Sequence, residues 1–278
     1  MPELPEVETM RRGVAAAIGA TITRVERPAC RLKPIVVAPR IDVFRRRVTG
    51  RRIEAADRIG KRVSLGRDSG AAIVCEPRMT GLVLLAEPPD VEHLRFRLTL
   101  SGAEAEQLWF WDRRGLGSVR LVAPEQWDDL YGPGKLGPDA LTIGLPQLQE
   151  RLSTSRRAIK VALLDQRAVA GIGNLYASEI LNVAQVHPAL PCGRLTRNAW
   201  QRLHKAIRVV LEEAIHCEGS TLSDGTYRNA LNDPGGYQNH HRVYDRAGQP
   251  CRSCGQGIVQ RLVQAQRSTF YCRVCQSR

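Results

Sequence analysis

Apolar and polar residues alternate along Thr21–Glu26, Arg52–Ala56, Arg62–Leu65, Ala71–Cys75, Leu82–Leu85, Leu94–Leu100 and Gln107–Trp111. Strict alternation over a few residues marks half-buried strands, because successive strand side chains point to opposite faces. The pattern predicts an N-terminal antiparallel β-sandwich over residues 1–130, entered by one helix at Val7–Ala17. Residues 124–146 are broken by Pro124, Gly132, Pro133, Gly134, Gly137, Pro138 and Pro146. They read as an irregular connection with a short helix at Glu125–Tyr131, and the linker is placed at 131–146. From residue 147 the apolar spacing changes to three and four, along Leu148–Leu152, Ala158–Leu164, Leu175–Leu181 and Trp200–Ile215. That period predicts a helical domain over 147–242, with a long Gly-, Asn- and Asp-rich mobile loop at 219–241. Residues 243–278 read as two hairpin-like arms, Arg242–Tyr244 and Ile258–Tyr271, around a cysteine cluster. The expected fold class is α+β with several domains.

Charge narrows the partners. The 278 residues carry a formal net charge of +13, which favours polyanions, nucleic acid first among them, over acidic proteins. A ribosome-associated or anionic-membrane protein fits the charge as well. No apolar run is long enough to span a bilayer, so no membrane partner is expected. Glu3, Glu6 and Glu8 stand where a secretory signal would carry basic residues, so a cytoplasmic protein is expected.

The eight cysteines do not form a disulfide pattern. Cys30, Cys75, Cys192 and Cys217 are scattered and read as buried thiols. Cys251-x2-Cys254 and Cys272-x2-Cys275, seventeen residues apart, have the spacing of a four-cysteine zinc site. Four thiolates close the tetrahedron, so one structural Zn2+ per chain is expected, with no organic cofactor. The alternative, a redox pair, is disfavoured by the two matched knuckles. Between them, Gln264–Thr269 should form a hairpin turn in which Arg267 can fork onto two phosphate oxygens. The alternative there is a solvated surface arginine. Gly171-Ile172-Gly173-Asn174 precedes a helical run. It offers outward N–H groups to an anion, although the tetrapeptide alone fits an ordinary helix cap equally well.

The chain opens Met1-Pro2-Glu3. Removal of Met1 would leave Pro2 as a secondary amine. α-Amino groups titrate at about 7.7–8.0, so part of it is neutral and nucleophilic near neutrality. Such an amine forms a Schiff-base-type intermediate at a sugar C1′, with Glu3 beside it to move protons. An exposed, inert chain start is the alternative.

With these residues stand the segments PELPEVET, GKRVSL, Met79-Thr80-Gly81, AIKVALLDQ, GIGNLYASEIL and QRSTFYC. Together they make the chain resemble the bacterial formamidopyrimidine-DNA glycosylase / endonuclease VIII family over nearly its whole length, and the formamidopyrimidine branch more closely. The resemblance implies a β-sandwich, a helix–two-turn–helix domain and a four-cysteine zinc-finger hairpin, with damaged double-stranded DNA bound between the halves of a monomer. It implies a bifunctional glycosylase and abasic-site lyase that excises oxidised purines by β,δ-elimination. The alternatives are the same chemistry on oxidised pyrimidines, or a non-catalytic damaged-DNA binding protein. By the resemblance Pro2 is the nucleophile, Glu3 the acid/base and Lys61 the lysine near the abasic phosphate. Asn174 and Arg267 become the phosphate-binding pair, with Arg267 also serving δ-elimination. His93, Lys160 and, more loosely, Arg156 become backbone contacts. Met79, Arg114 and Leu116 fill the hole left by the flipped base, and the 219–241 loop reads the lesion. Two segments depart from the family pattern. Glu76-Pro77-Arg78 replaces His-Leu-Gly, and Asp112-Arg113-Arg114-Gly115-Leu116-Gly117 replaces Asp-Pro-Arg-Arg-Phe-Gly.

Overall fold

The structure is a computed structural model that describes residues 2–277. The chain divides into two compact units, Met1–Gly132 with Cys217–Gln238, and Pro133–His216 with Asn239–Arg278.

The first unit begins with helix α1, Leu4–Val14. It starts earlier than its apolar spacing suggests because Glu3 and Glu6 form a capping box and Pro5 sits in the first turn. Strand β1 (Thr21–Glu26), strand β2 (Val36–Ala38) and helix α2 (Ile41–Val48) follow. Next come β3 (Ile53–Ile59), β4 (Arg62–Arg67), β5 (Ala72–Glu76), β6 (Gly81–Leu84), β7 (Leu94–Ser101), β8 (Gln107–Asp112), β9 (Ser118–Val122) and helix α3 (Trp127–Tyr131). One sheet has the order β1-β7-β8-β6 and the other β2-β9-β5-β4-β3. All pairings are antiparallel except β2 with β9, which is parallel.

The inner faces of both sheets contribute to one core. Ile22, Phe96, Leu98 and Phe110 come from one sheet, and Ile53, Leu65, Ile73 and Val119 from the other. Helix α1 adds Val7, Met10 and Val14, and α2 adds Phe44, whose ring meets Phe96 edge-on at 5.3 Å. Strand β5 shows the two-residue period directly. Ile73 and Cys75 enter this core, whereas Ala72 and Val74 form a second cluster with Trp127 and Tyr131 of α3.

Segment Cys217–Gln238 belongs to this first unit, although the helices precede it in sequence. Its composition suggests a mobile loop, and the segment is tied to the rest of the unit at several points. Leu85 N–H donates to the Ala230 carbonyl at 2.9 Å, Tyr227 and Ala230 are buried, and Thr221 Oγ1 donates to the Tyr227 carbonyl at 2.8 Å. At Gly13 of α1 an added Cβ would lie 2.3 Å from the Ala230 Cβ, so this close packing requires glycine.

The second unit holds α4 (Leu145–Leu152), α5 (Ile159–Leu163), α6 (Asn174–Val183), α7 (Arg197–His216) and the hairpin β10 (Val259–Gln264) and β11 (Arg267–Cys272). Helix α7 buries Trp200, Leu203, Ile207, Val210, Leu211 and Ala214, the stripe that its spacing predicts. The expected arm at Arg242–Tyr244 is not a strand. The N–H groups of Arg242, Val243 and Tyr244 all donate to the buried Glu179 carboxylate, at 2.8, 2.9 and 2.8 Å, instead of to a neighbouring strand. Among the described residues no helix is long and apolar enough to cross a membrane.

Two of the scattered thiols differ from expectation. Cys75 and Cys192 are buried, whereas Cys30 and Cys217 are half-buried. Burial pushes the Cys75 thiol up to about 12. Thiolate is the reactive form, so iodoacetamide at pH 8 should label Cys30 and Cys217 in the native protein and leave Cys75 untouched until denaturant is added. Mass-mapped labelling of native Cys75 at the rate of an open thiol would contradict this packing.

Candidate active site and metal centre

Residues Pro2 to Met10 are all buried, so the chain start is part of the interior rather than a loose end. The Glu3 N–H donates to Glu6 Oε2 at 2.8 Å. The other oxygen of that carboxylate accepts the Ser220 N–H at 2.9 Å. Tyr227 Oη donates to the Glu218 carbonyl at 2.9 Å and approaches the Glu6 carbonyl at 3.4 Å. Gly219, at φ +82°, leaves no room for a side chain beside the Glu6 carboxylate and the Tyr227 ring. Pro2 lines a narrow pocket with Met79, Thr80, Leu82, Ser220, Leu222, Asp224, Thr226 and Tyr227. The structure therefore places the start of α1, the turn before β6 and the Cys217–Gln238 segment around one opening.

Lys61 sits in the two-residue turn between β3 and β4, with Ile59 paired to Arg62 and Gly60 at φ +56°. Arg58 holds this turn to α1. It donates to the Gly60 carbonyl at 3.0 Å and to Glu8 Oε2 at 3.1 Å. Burial alone would raise the Glu8 carboxyl. Hydrogen bonds from Arg11 and Arg12, with the Arg58 charge nearby, bring it below the ordinary carboxylate range.

The turn between β8 and β9 is organised by Asp112, which is fully buried. Its Oδ2 accepts the N–H groups of Leu116 and Gly117, each at 2.8 Å. Its Oδ1 accepts Thr80 Oγ1 at 2.5 Å and the Arg114 N–H at 3.2 Å. Thr80 thus joins the Met79 turn to the Arg114–Leu116 turn, and Arg114 Nη1 reaches Met79 Sδ at 3.1 Å. Met79 and Arg114 are exposed and Leu116 is half-buried. His93 Nδ1 pairs with Asp90 Oδ1 at 2.8 Å, and its ring lies 5.4 Å from that of Trp111.

In the second unit Asn174 is the first residue of α6, after Gly171 at φ +106°. Lys160 is fully buried, and its Nζ donates to Asn174 Oδ1 at 2.6 Å. The amide is thereby turned so that Nδ2 donates to the Ser268 carbonyl at 3.0 Å. Arg267 precedes Ser268 and leaves the β10–β11 turn exposed. Ala265 and Gln266 both take positive φ there, +46° and +60°, the geometry of a tight hairpin turn. Lys160, Asn174 and the Arg267 turn therefore form one connected group, whereas Arg156 is exposed at the chain entry to α5.

The four cysteine Sγ atoms of Cys251, Cys254, Cys272 and Cys275 lie within 4.8 Å of one another. Cys251 to Cys275 and Cys254 to Cys272 are each 3.8 Å. Sulfurs of a Zn2+ tetrahedron with bonds of about 2.3 Å are about 3.8 Å apart, so the set fits that ion. Backbone N–H groups of Gly257 and Gln256 pull the Cys254 thiol down to about 6. Burial and the neighbouring sulfurs push Cys275 up. Four thiolates this close need a cation to ionise together.

Residues 1–119 match the model of the formamidopyrimidine-DNA glycosylase N-terminal domain, and 136–226 that of the H2TH domain of the same enzymes. Residues 248–278 match a zinc finger found in FPG and IleRS. The formamidopyrimidine-DNA glycosylase of Chloroflexus aurantiacus is 42% identical over 282 residues, covering 99% of this chain and 98% of that one. The chain belongs to the formamidopyrimidine-DNA glycosylase family. Among solved structures, the MutM (Fpg) protein of Thermus thermophilus is similar with a TM-score of 0.85 at 38% identity, covering 99% of this chain and 98% of that one. The wild-type Lactococcus lactis Fpg, in complex with N7-benzyl-Fapy-dG containing DNA, gives 0.87 at 30% identity, with all of both chains covered.

Several residues that organise this family member's site were not singled out in the sequence. Glu6 had a local signal, since an acidic residue three positions after a helix cap suggests a capping box. Arg58 and Glu179 had none, because Glu8 and Arg242–Tyr244 are distant in the chain; Asp112 takes N–H groups from Arg114, Leu116 and Gly117 close by, but nothing in the sequence marks its carboxylate as buried.

Proposed function

We propose that this protein is a DNA glycosylase and abasic-site lyase that removes oxidised purines, formamidopyrimidines and 8-oxoguanine, from duplex DNA. The observation that carries the reading is the immobilised chain start. Pro2 lines a pocket, and Glu3 is fixed beside it by the Glu6 carboxylate. Relatives named formamidopyrimidine-DNA glycosylase, and a Lactococcus lactis Fpg solved with abasic site containing DNA, support the substrate class.

The target base is inaccessible in the stack, so it must be turned out, at a cost of a few kcal/mol. Met79, Arg114 and Leu116 would occupy the gap. Once Met1 is removed, the Pro2 nitrogen adds to C1′ as the bond from C1′ to the base breaks, and the departing base takes a proton. The sugar C1′–O4′ bond opens to an iminium, with Glu3 exchanging protons at that centre. The iminium acidifies C2′, and loss of that proton expels the 3′ phosphate; a second elimination expels the 5′ phosphate. Lys61, Arg267 and the Asn174 helix terminus supply positive charge and N–H donors for phosphates. His93 and Arg156 are assigned to further backbone phosphates. Lys160 acts through Asn174, whose amide it holds. With DNA as the partner, the cytoplasm is the expected place of action.

We also assign one structural Zn2+ to Cys251, Cys254, Cys272 and Cys275. A four-thiolate set leaves no open coordination position, so its work is to hold the hairpin that carries Arg267.

Two outcomes follow. Glu3→Gln should lower 8-oxoguanine release from duplex DNA by about 10²- to 10⁴-fold while leaving duplex affinity unchanged; full release activity would remove Glu3 from this role. A strong chelator at raised temperature should release one zinc per chain and weaken duplex binding, and Cys254→Ser should bind less zinc. Retention of affinity by metal-free protein would contradict the structural role.

A further inference from the structure

Arg95 of β7 is only 2% exposed, yet no acidic side chain pairs with it among the described residues. A buried guanidinium held without a counter-charge is costly, so the acceptors it does meet are informative. Its Nε donates to the Asp112 carbonyl at 2.8 Å, and Nη2 reaches the Arg113 carbonyl at 3.4 Å. Its Nη1 contacts Cys30 Sγ. Arg95 therefore holds the two carbonyls at the start of the β8–β9 turn, while the Asp112 carboxylate holds the turn's N–H groups at Arg114, Leu116 and Gly117.

The same turn needs outside support for two further reasons. Position 113 is arginine, whose φ is free, whereas a proline there would fix it. Gly115 is at φ +60°, and an added Cβ would lie 2.1 Å from the Lys33 carbonyl oxygen, so no side chain can stiffen the turn there. Arg113 itself extends to Asp224 of the Cys217–Gln238 segment at 3.6 Å. Both groups are exposed, and that pair contributes little rigidity.

We propose that Arg95 is a positioning residue for the wedge, fixing the backbone from which Arg114 and Leu116 enter the duplex. This rests on the glycosylase reading above. Arg95 touches neither substrate nor the reacting atoms. Its effect is confined to steps in which a base must leave a stacked duplex and the gap must be filled.

The test compares two substrates with purified full-length protein. One is a duplex carrying 8-oxoguanine opposite cytosine. The other is a single strand carrying an abasic site, which has no opposite base and no gap. Arg95→Met should lower kcat/KM on the duplex by on the order of 10- to 100-fold and leave single-strand cleavage unchanged. The fluorescence rise of 2-aminopurine placed opposite the lesion should slow in parallel. Arg113→Pro added to Arg95→Met should recover duplex activity, because the Arg113 N–H donates to no group among the described residues and can be given up. Arg95→Lys, which keeps the charge and one hydrogen bond, should fall between. Undiminished duplex activity in Arg95→Met would overturn the proposal. Equal loss on both substrates, without rescue by Arg113→Pro, would reduce Arg95 to a folding role and overturn it too. Wild-type protein inactive on both substrates would overturn the glycosylase reading itself, and this inference with it.

Discussion

The Glu6 carboxylate is the contact on which the rest of the site depends. It is 3% exposed, and it accepts one backbone N–H from Glu3 and one from Ser220. A buried carboxylate left without donors would cost several kcal/mol. Shared between two backbone donors at the first turn of α1, it gains charge-assisted hydrogen bonds and the helix dipole. Through this one group the first residues of the chain and a segment more than two hundred positions later are held together. The pocket around Pro2 exists because both are fixed. The arrangement also accounts for the burial of nine consecutive residues, Pro2 to Met10, at a chain end that is ordinarily loose.

The same device recurs in both units: a buried polar side chain orders a turn by hydrogen bonding its backbone or a side chain that does so. Asp112 and Arg95 divide the donors and acceptors of the β8–β9 turn between them. Glu179 takes three successive N–H groups at Arg242–Tyr244. Lys160 aims the Asn174 amide at the hairpin that bears Arg267. The first and last of these leave functional candidates, exposed Arg114 and Arg267 and half-buried Leu116, on backbone that is held at its base. Rigid support of this kind is what positioning catalysis requires, since the reacting groups must already be in place when the base leaves the stack.

How much of this was legible in the sequence follows from how local each signal is. Strands with one buried face announce themselves by alternation, so most of the β-rich unit was readable. The stripe on α7 and the four-cysteine spacing were equally plain. Helix α2 was missed because Arg45, Arg46 and Arg47 mask a short apolar face made by Phe44 and Val48. Strand β2 was missed because three residues give alternation no length, and its parallel pairing with Ser118–Arg120 is not a local property. The supposed mobile loop at 219–241 has the composition of a loop, but Tyr227, Ala230 and Tyr237 anchor much of it. Of the candidate site, Pro2, Glu3, Asn174 and Arg267 came with motifs. The groups that hold them each have a partner that only folding brings near: Ser220 for Glu6, Glu8 for Arg58, the Asp112 carbonyl for Arg95 and Thr80 for Asp112.

The most direct measurement is borohydride trapping on duplex DNA carrying 8-oxoguanine opposite cytosine, with the protein first shown by intact mass to begin at Pro2. A covalent adduct that peptide mapping places on the Pro2 nitrogen is the predicted result. An adduct mapped to Lys61 or another lysine, or none at all with protein that binds the duplex, would contradict the claim that the buried chain start is the nucleophile.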